Sequence, residues 1–333
     1  MQQRSLLLAL ISVVSLSRCT PYADFRLPAL GSPQTGGKFG FVPSKDPQLV
    51  PGPKRSFDSV DVLNPSVVHV NGTWYNFYSG YDGKTWHTGL ATGPDGSTWS
   101  KQGKVLSPTQ PWEGDYIAAN GSALYRNGEF WYWYQANRTP PRIGLARSKD
   151  GRTWTREPAP VLDVGPRMAW DERGVADPYV IELDGVLYMY FLGQDRAHRQ
   201  RLGVARSRDG IHWEKLLTNP ILDLGEYGAF DERGLGEPAV WPQFGYYWML
   251  YTARDRNEWR RIGLARSTDG VHWQRVSTEP FISGWAAWNE KVVCDPHVEV
   301  DNGRVRVWLG GGDRAQPAEN LNGAIGYGEL RHQ

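Results

Sequence analysis

The sequence predicts an all-β fold: a five-bladed β-propeller of four-stranded antiparallel blades. Three observations carry this. A phrase running from a glycine through Asp-Gly-x-x-Trp recurs at Gly89–Trp99, Gly144–Trp154, Gly203–Trp213 and Gly263–Trp273, with a truncated fifth copy from Gly323. A second phrase, an aromatic followed by an acid or amide, recurs at Phe57-Asp58, Trp112-Glu113, Trp170-Asp171, Phe230-Asp231 and Trp288-Asn289. Between them lie hairpin turns such as Asn71-Gly72, Asn127-Gly128, Asp184-Gly185 and Asn302-Gly303, each followed by an alternating aromatic strand such as Trp131–Tyr134. The repeat length is about 55–60 residues, enough for four short strands per unit.

Composition agrees. The 333 residues include 16 Trp, 16 Tyr and 10 Phe, which favour strands, and 38 Gly and 23 Pro, which favour turns. Thirty-seven basic and 36 acidic side chains nearly cancel, which argues against a nucleic-acid partner. Two cysteines exclude a disulfide framework and a cysteine-rich zinc module.

Taken in chain order, residues 1–19 read as an export signal: a basic start, then an apolar run over Leu6–Leu16 too short to span a bilayer. Leu16-Ser17-Arg18-Cys19 resembles a bacterial lipoprotein box, which implies lipidation at Cys19 and an exported, periplasmic or cell-surface protein; Arg18 departs from that pattern. Residues 20–55, rich in Pro and Gly, read as a tether carrying at most one strand, near Phe39–Leu49, that closes the ring. Residues 56–333 form the propeller. The final unit lacks its own fourth strand, which is why one is expected from the N-terminal side.

Each unit opens with a polar residue at the head of an apolar run: Asn64, Asn120, Asp177, Glu237 and Asp295. Strand alternation places these five starts, and the loops holding Asp82, Arg138, Arg196, Arg256 and Arg314, on one face. The Asp-Gly-x-x-Trp turns fall on the opposite face, where Asp caps the turn and Gly takes positive φ. Five polar groups at one apolar-flanked position are costly as core, because an unpaired buried carboxylate is destabilising by several kcal/mol.

Asp177-Pro178 and Glu237-Pro238 at unit starts, with the Ser-x-Asp-Gly-x-x-Trp phrase, resemble the five-bladed glycoside hydrolase superfamily. That group includes arabinanases, β-xylosidases, invertases, levansucrases and mannoside phosphorylases (families 43, 62, 32, 68, 117 and 130). The resemblance covers roughly Phe57 to Leu330. It implies a carbohydrate substrate and, in families 43 and 62, a base Asp, a tuning Asp and an acid Glu from consecutive blades. Asp177 then matches the tuner and Glu237 the acid. The base position falls on Asn120, which has no carboxylate, so Asp295 in the following unit is expected as base through water, with Asp115 as a weaker candidate. Neighbouring carboxyls push one another's pKa values apart, which suits Glu237 to an acid role.

Asn64 and Asn120 are expected to bind sugar hydroxyls, as is His297. Arg138, Arg173, Arg196, Arg233, Arg256 and Arg314 would meet an anionic group of the ligand or pair with neighbouring acids. No metal ligand set and no cofactor is expected, with a central structural ion left open. The chain is expected to be a monomer, to meet membrane only through the lipid anchor, and to hydrolyse O-glycosidic bonds of extracellular oligo- or polysaccharide. Two other readings stand beside hydrolysis: a carbohydrate-binding propeller without catalysis, and a phosphorylase in which phosphate attacks and one acid suffices.

Overall fold

The computed structural model describes residues 21–33, 38–316 and 319–332. The expected export signal and the expected lipidation site Cys19 lie outside the described residues. The described chain is all-β, with two single-turn 3-10 helices at Pro111–Glu113 and Ala287–Asn289. Its strands form one hydrogen-bonded sheet of 13 and another of 8.

The repeated unit is visible in the pairings. A ten-residue strand (Asp61–Val70, Ile117–Arg126, Gly174–Leu183, Gly234–Gln243, Val292–Asp301) pairs antiparallel with a second and the second with a third. The Asn-Gly and Asp-Gly turns sit where expected, with Asn71, Asn127, Asp184 and Asn302 at positive φ. The fourth strand is short: Ser100–Leu106 in the first unit, then Thr155–Arg156, Glu214–Leu216 and Gln274–Arg275. In the last unit this place is taken by Phe39–Pro43, which runs antiparallel to Ala324–His332 from Phe39 opposite His332 to Pro43 opposite Gly328. The five ten-residue strands pack side by side, each against the next and the last against the first.

The Asp-Gly-x-x-Trp turns are built alike. Asp150 Oδ1 accepts the backbone N–H groups of Arg152 and Thr153, and Asp209 and Asp269 do the same for their turns. These turns also tie one unit to another: Trp133 Nε1 donates to Gly210 O and Trp308 Nε1 to Gly96 O. The glycine that begins the last copy is three residues later than the sequence suggested. Gly326 faces Leu309 as Gly89 faces Tyr78, because the second strand's sixth residue sets the register.

The aromatic-acid phrase is structural too. Asp58, Glu113, Asp171 and Asp231 are buried, each bound to a cation from its fourth strand: Lys101 at 2.5 Å, Arg156 at 2.8 Å, Lys215 at 2.5 Å and Arg275 at 2.7 Å. Tyr78, Tyr134 and Tyr251 add a hydroxyl to the acid in three of the four. In the fifth unit Pro43 occupies the cation's register, and the acid is replaced by neutral Asn289. A buried charge without its partner would be strongly unfavourable, so acid and cation vanish together.

The expected tether is only partly one. Tyr22–Ala23 pairs parallel with Glu214–Leu216, and Phe25 and Leu27 are buried among the third and fourth units. Apolar side chains at these two positions dock the segment on the face of the Asp-Gly turns, where Leu27 N donates to Asp269 O.

Candidate active site

Each of the five polar starts lies fourth in its ten-residue strand, not first. The strand pairing skips there, between Leu63 and Ser66, Ala119 and Ser122, Ala176 and Tyr179, Gly236 and Ala239, and Cys294 and His297. The five residues take left-handed φ values of 48°, 48°, 48°, 46° and 53°. Asn and Asp tolerate this region; for Glu237 it is uncommon and is imposed by the surrounding sheet. A bulge lifts one residue out of the ladder and re-aims its side chain. Pro follows four of the five, and its missing N–H costs nothing where the ladder is already broken. The bulged N–H groups turn to the adjacent unit instead. Asn64 N donates to Asp295 Oδ2 at 3.1 Å, Asn120 N to Ser79 Oγ at 2.9 Å, and Asp295 N to Thr252 Oγ1 at 3.0 Å.

This device brings Asn64, Asn120, Asp177, Glu237 and Asp295 together around one cavity of about 300 Å³. All five also line a second, axial space of about 30 Å³ beneath it, and His297 lies there, buried, rather than in the main cavity. Its Nε2 has no hydrogen-bond partner among the described residues.

The six arginines expected at the site do not line the cavity. Arg196 and Arg256 clamp Glu172 and Glu232 at 2.9 and 2.8 Å, Arg138 lies over the Tyr116 ring, and Arg314 is 4.0 Å from Asp313. Arg173 and Arg233 are exposed beside those glutamates. In the third and fourth units the loop between second and third strands keeps its side chains out of the cavity, so the groups that reach inward there stand at the strand ends that bracket it. These are Arg254 and Arg260 in the fourth unit and Gln194 and Gln200 in the third. Aligning the repeats at those ends would have found all four. Asp115 is exposed and outside the cavity, so it is not placed as a base. Glu319, in contact with the Tyr116 hydroxyl, also lines the cavity; it sits in an irregular loop with no repeat signature to mark it.

Electrostatics separate the carboxyls. Burial, then the charge of Glu237, pushes Asp177 up to about 8, while Asn120 Nδ2, donating at 3.4 Å, acts in the opposite sense. Burial and the same charge push Asp295 well above the usual carboxylate range. Asp295 Oδ2 is further occupied by the Cys294 thiol at 3.2 Å. That direction disfavours the ionised form a base needs and weighs against the base role expected of Asp295. Glu237 lines the cavity, and its Oε2 is buried without a hydrogen-bond partner among the described residues. Arg260 is half-buried near Glu237 and Asp295 and forms no ion pair among the described residues, whereas Arg254 has Glu258 at 3.4 Å. Among the described residues no group of three His, Cys, Asp or Glu side chains is arranged to hold a metal ion.

An all-β ring of repeated units, with converging carboxyls and paired cations in a central cavity, defines a propeller-type glycoside hydrolase of the superfamily its motifs resemble. Within it, the family model described as beta-1,4-mannooligosaccharide phosphorylase, glycoside hydrolase family 130, matches residues 124–291, and the chain belongs to that family. An uncharacterized protein of Mycobacterium tuberculosis is 26% identical over 230 residues, 65% of this chain and 75% of that protein. A 1,2-beta-oligomannan phosphorylase of a Thermoanaerobacter species is 33% identical over 163 residues, 42% of this chain and 53% of its own length. A solved structure from work on family 130 hydrolases that target beta-1,2 mannosidic linkages in Candida mannan superposes with a TM-score of 0.67. It is 16% identical, with 92% of this chain and 96% of that one covered.

Proposed function

We propose that the protein is a five-bladed β-propeller enzyme that cleaves an O-glycosidic bond of a mannose-containing oligosaccharide within the 300 Å³ cavity. One observation carries this: Asp177, Glu237 and Asp295, far apart in sequence, converge on that cavity beside Arg254 and Arg260. Asp177 is the proton donor to the leaving oxygen, since burial and the Glu237 charge keep it protonated at neutral pH. Glu237, at the cavity wall, orients the attacking group, and Asp295 braces the ring of bulges. The mannoside preference is supported by the family model and by the oligomannan phosphorylase relative. The export signal and Cys19 support placement outside the cytoplasm, lipid-anchored.

A second reading, phosphorolysis, is favoured by the arginine pair. Two guanidiniums at the cavity, one without a carboxylate partner among the described residues, suit a phosphate that attacks in place of water. The test is product analysis of mannobiose and mannotriose, β-1,4- and β-1,2-linked, with and without phosphate. Free mannose formed regardless of phosphate supports hydrolysis. Mannose 1-phosphate formed only with phosphate supports phosphorolysis. Failure to cleave any of them, with Asp177→Asn behaving as the unaltered protein, overturns the enzymatic reading for mannosides.

A further inference from the structure

We propose a second carbohydrate-binding site, a surface groove on the fourth unit separate from the catalytic cavity, whose ligand is an oligosaccharide chain. The groove is an open space of about 810 Å³ with Tyr227 and Trp259 at its walls and Asp255, Thr278 and Glu279 among its polar groups. Tyr227 is 88% exposed and Trp259 38%, both large aromatics turned toward water.

Both rings are propped. The Arg256 guanidinium lies 4.2 Å from the Tyr227 ring centre and donates to its hydroxyl at 2.9 Å, and is itself clamped by two bonds of 2.8 Å to Glu232. The Arg261 guanidinium lies 4.9 Å from the Trp259 ring and is fixed by the carbonyls of Arg260, Lys291 and Glu290. A ring held by a cation on one side and open to solvent on the other is a ready surface for the apolar face of a pyranose. Carboxylates and a hydroxyl around it accept the sugar hydroxyls.

The internal repeat shows that these aromatics are an addition. The third unit carries the same clamp, Arg196 on Glu172, and the same loop lengths. Where the fourth has Tyr227 and Trp259, the third has Arg167 and Arg199, and Arg199 closes on Asp195 at 2.7 Å. The frame therefore folds without the aromatics. The ligand class follows from the site's neighbourhood: Trp259, in the groove, is followed directly by Arg260, which lines the cavity, so groove and cavity meet at one strand end. The choice of an oligosaccharide rests on the proposed function; the groove itself does not.

The test transplants the third unit's residues, Tyr227→Arg with Trp259→Arg, a substitution the same frame already tolerates. Affinity electrophoresis through gels containing soluble mannan, xylan, arabinan or levan reads binding, and mannobiose turnover reads the cavity. The expected result is retention of the unaltered protein by mannan, weakened about tenfold or more in the double variant. Mannobiose turnover stays within about twofold, and Glu237→Gln retains full mannan binding. Equal retention of double variant and unaltered protein, no retention by any of the four polymers, or loss of retention in Glu237→Gln alone overturns the proposal. Retention by xylan, arabinan or levan in place of mannan, lost in the double variant, supports the groove and corrects its sugar. If the double variant loses retention while no protein cleaves mannosides, the groove stands and the proposed activity falls.

Discussion

Burial and the Glu237 charge favour the protonated form of Asp177. Its native pKa lies above that of the unfolded chain, so the folded state binds more protons. That contribution to stability is fully present below about pH 4 and is lost as pH rises toward 8. Asp177→Asn removes the titration: its thermal midpoint, measured from pH 4 to 9, should fall less with rising pH than that of the unaltered protein. Activity of the same variant should drop about 10²–10⁴-fold, the usual size of a general-acid contribution. The sequence made Asp177, Glu237 and Asp295 legible, since repeat position and the following Pro single them out. Which of them keeps a proton was not legible, because that depends on burial and on mutual distance. The arginines were misread for a related reason. Six of them lie in or beside the loops, but side-chain direction at the loop ends decides which enter the cavity, and those are Arg254 and Arg260.

The bulged ten-residue strand is the element that turns a repeat into a site. Its polar residue was placed by the sequence at the strand's start, whereas it sits three residues inside, where left-handed φ breaks the pairing. Chain period alone does not reveal a skipped residue. The space left by that skip is tight around Asp295: a Cβ on Gly310 of the facing strand would fall 2.5 Å from Asp295 Oδ2. Gly310→Ala should destabilise by about 1–3 kcal/mol in denaturant melts and reduce turnover as Asp295 and Cys294 are displaced. At the outer edge of the third unit, Lys215 and Asp171 are both fully buried and 2.5 Å apart. Lys215→Met strands the acid and should cost about 3–5 kcal/mol by the same measurement, with the cavity's substrate affinity little changed in the protein that remains folded.

The all-β architecture of repeated units was legible from the two recurring phrases and their spacing, because each unit must bury its aromatic strands against a neighbour. Less legible was the path of residues 21–33, where buried Phe25 and Leu27, with the Tyr22–Ala23 strand pairing, turn a Pro-rich stretch into packed structure. Phe39 joins two units: its strand pairs with Ala324–His332, while its ring meets Trp241 at 5.8 Å and Trp248 at 5.0 Å in the fourth unit. Phe39→Ala should cost about 3–5 kcal/mol, read as a lowered unfolding midpoint. The partnership of Phe39 with His332 also sets a timetable. During synthesis the Phe39–Pro43 segment waits, unpaired, until its distant partner Ala324–His332 has been made. Loop-closure entropy makes so distant a contact slow to form. A nascent chain of this protein therefore carries an open seam until Ala324–His332 has emerged, with an unpaired strand edge that another chain could meet.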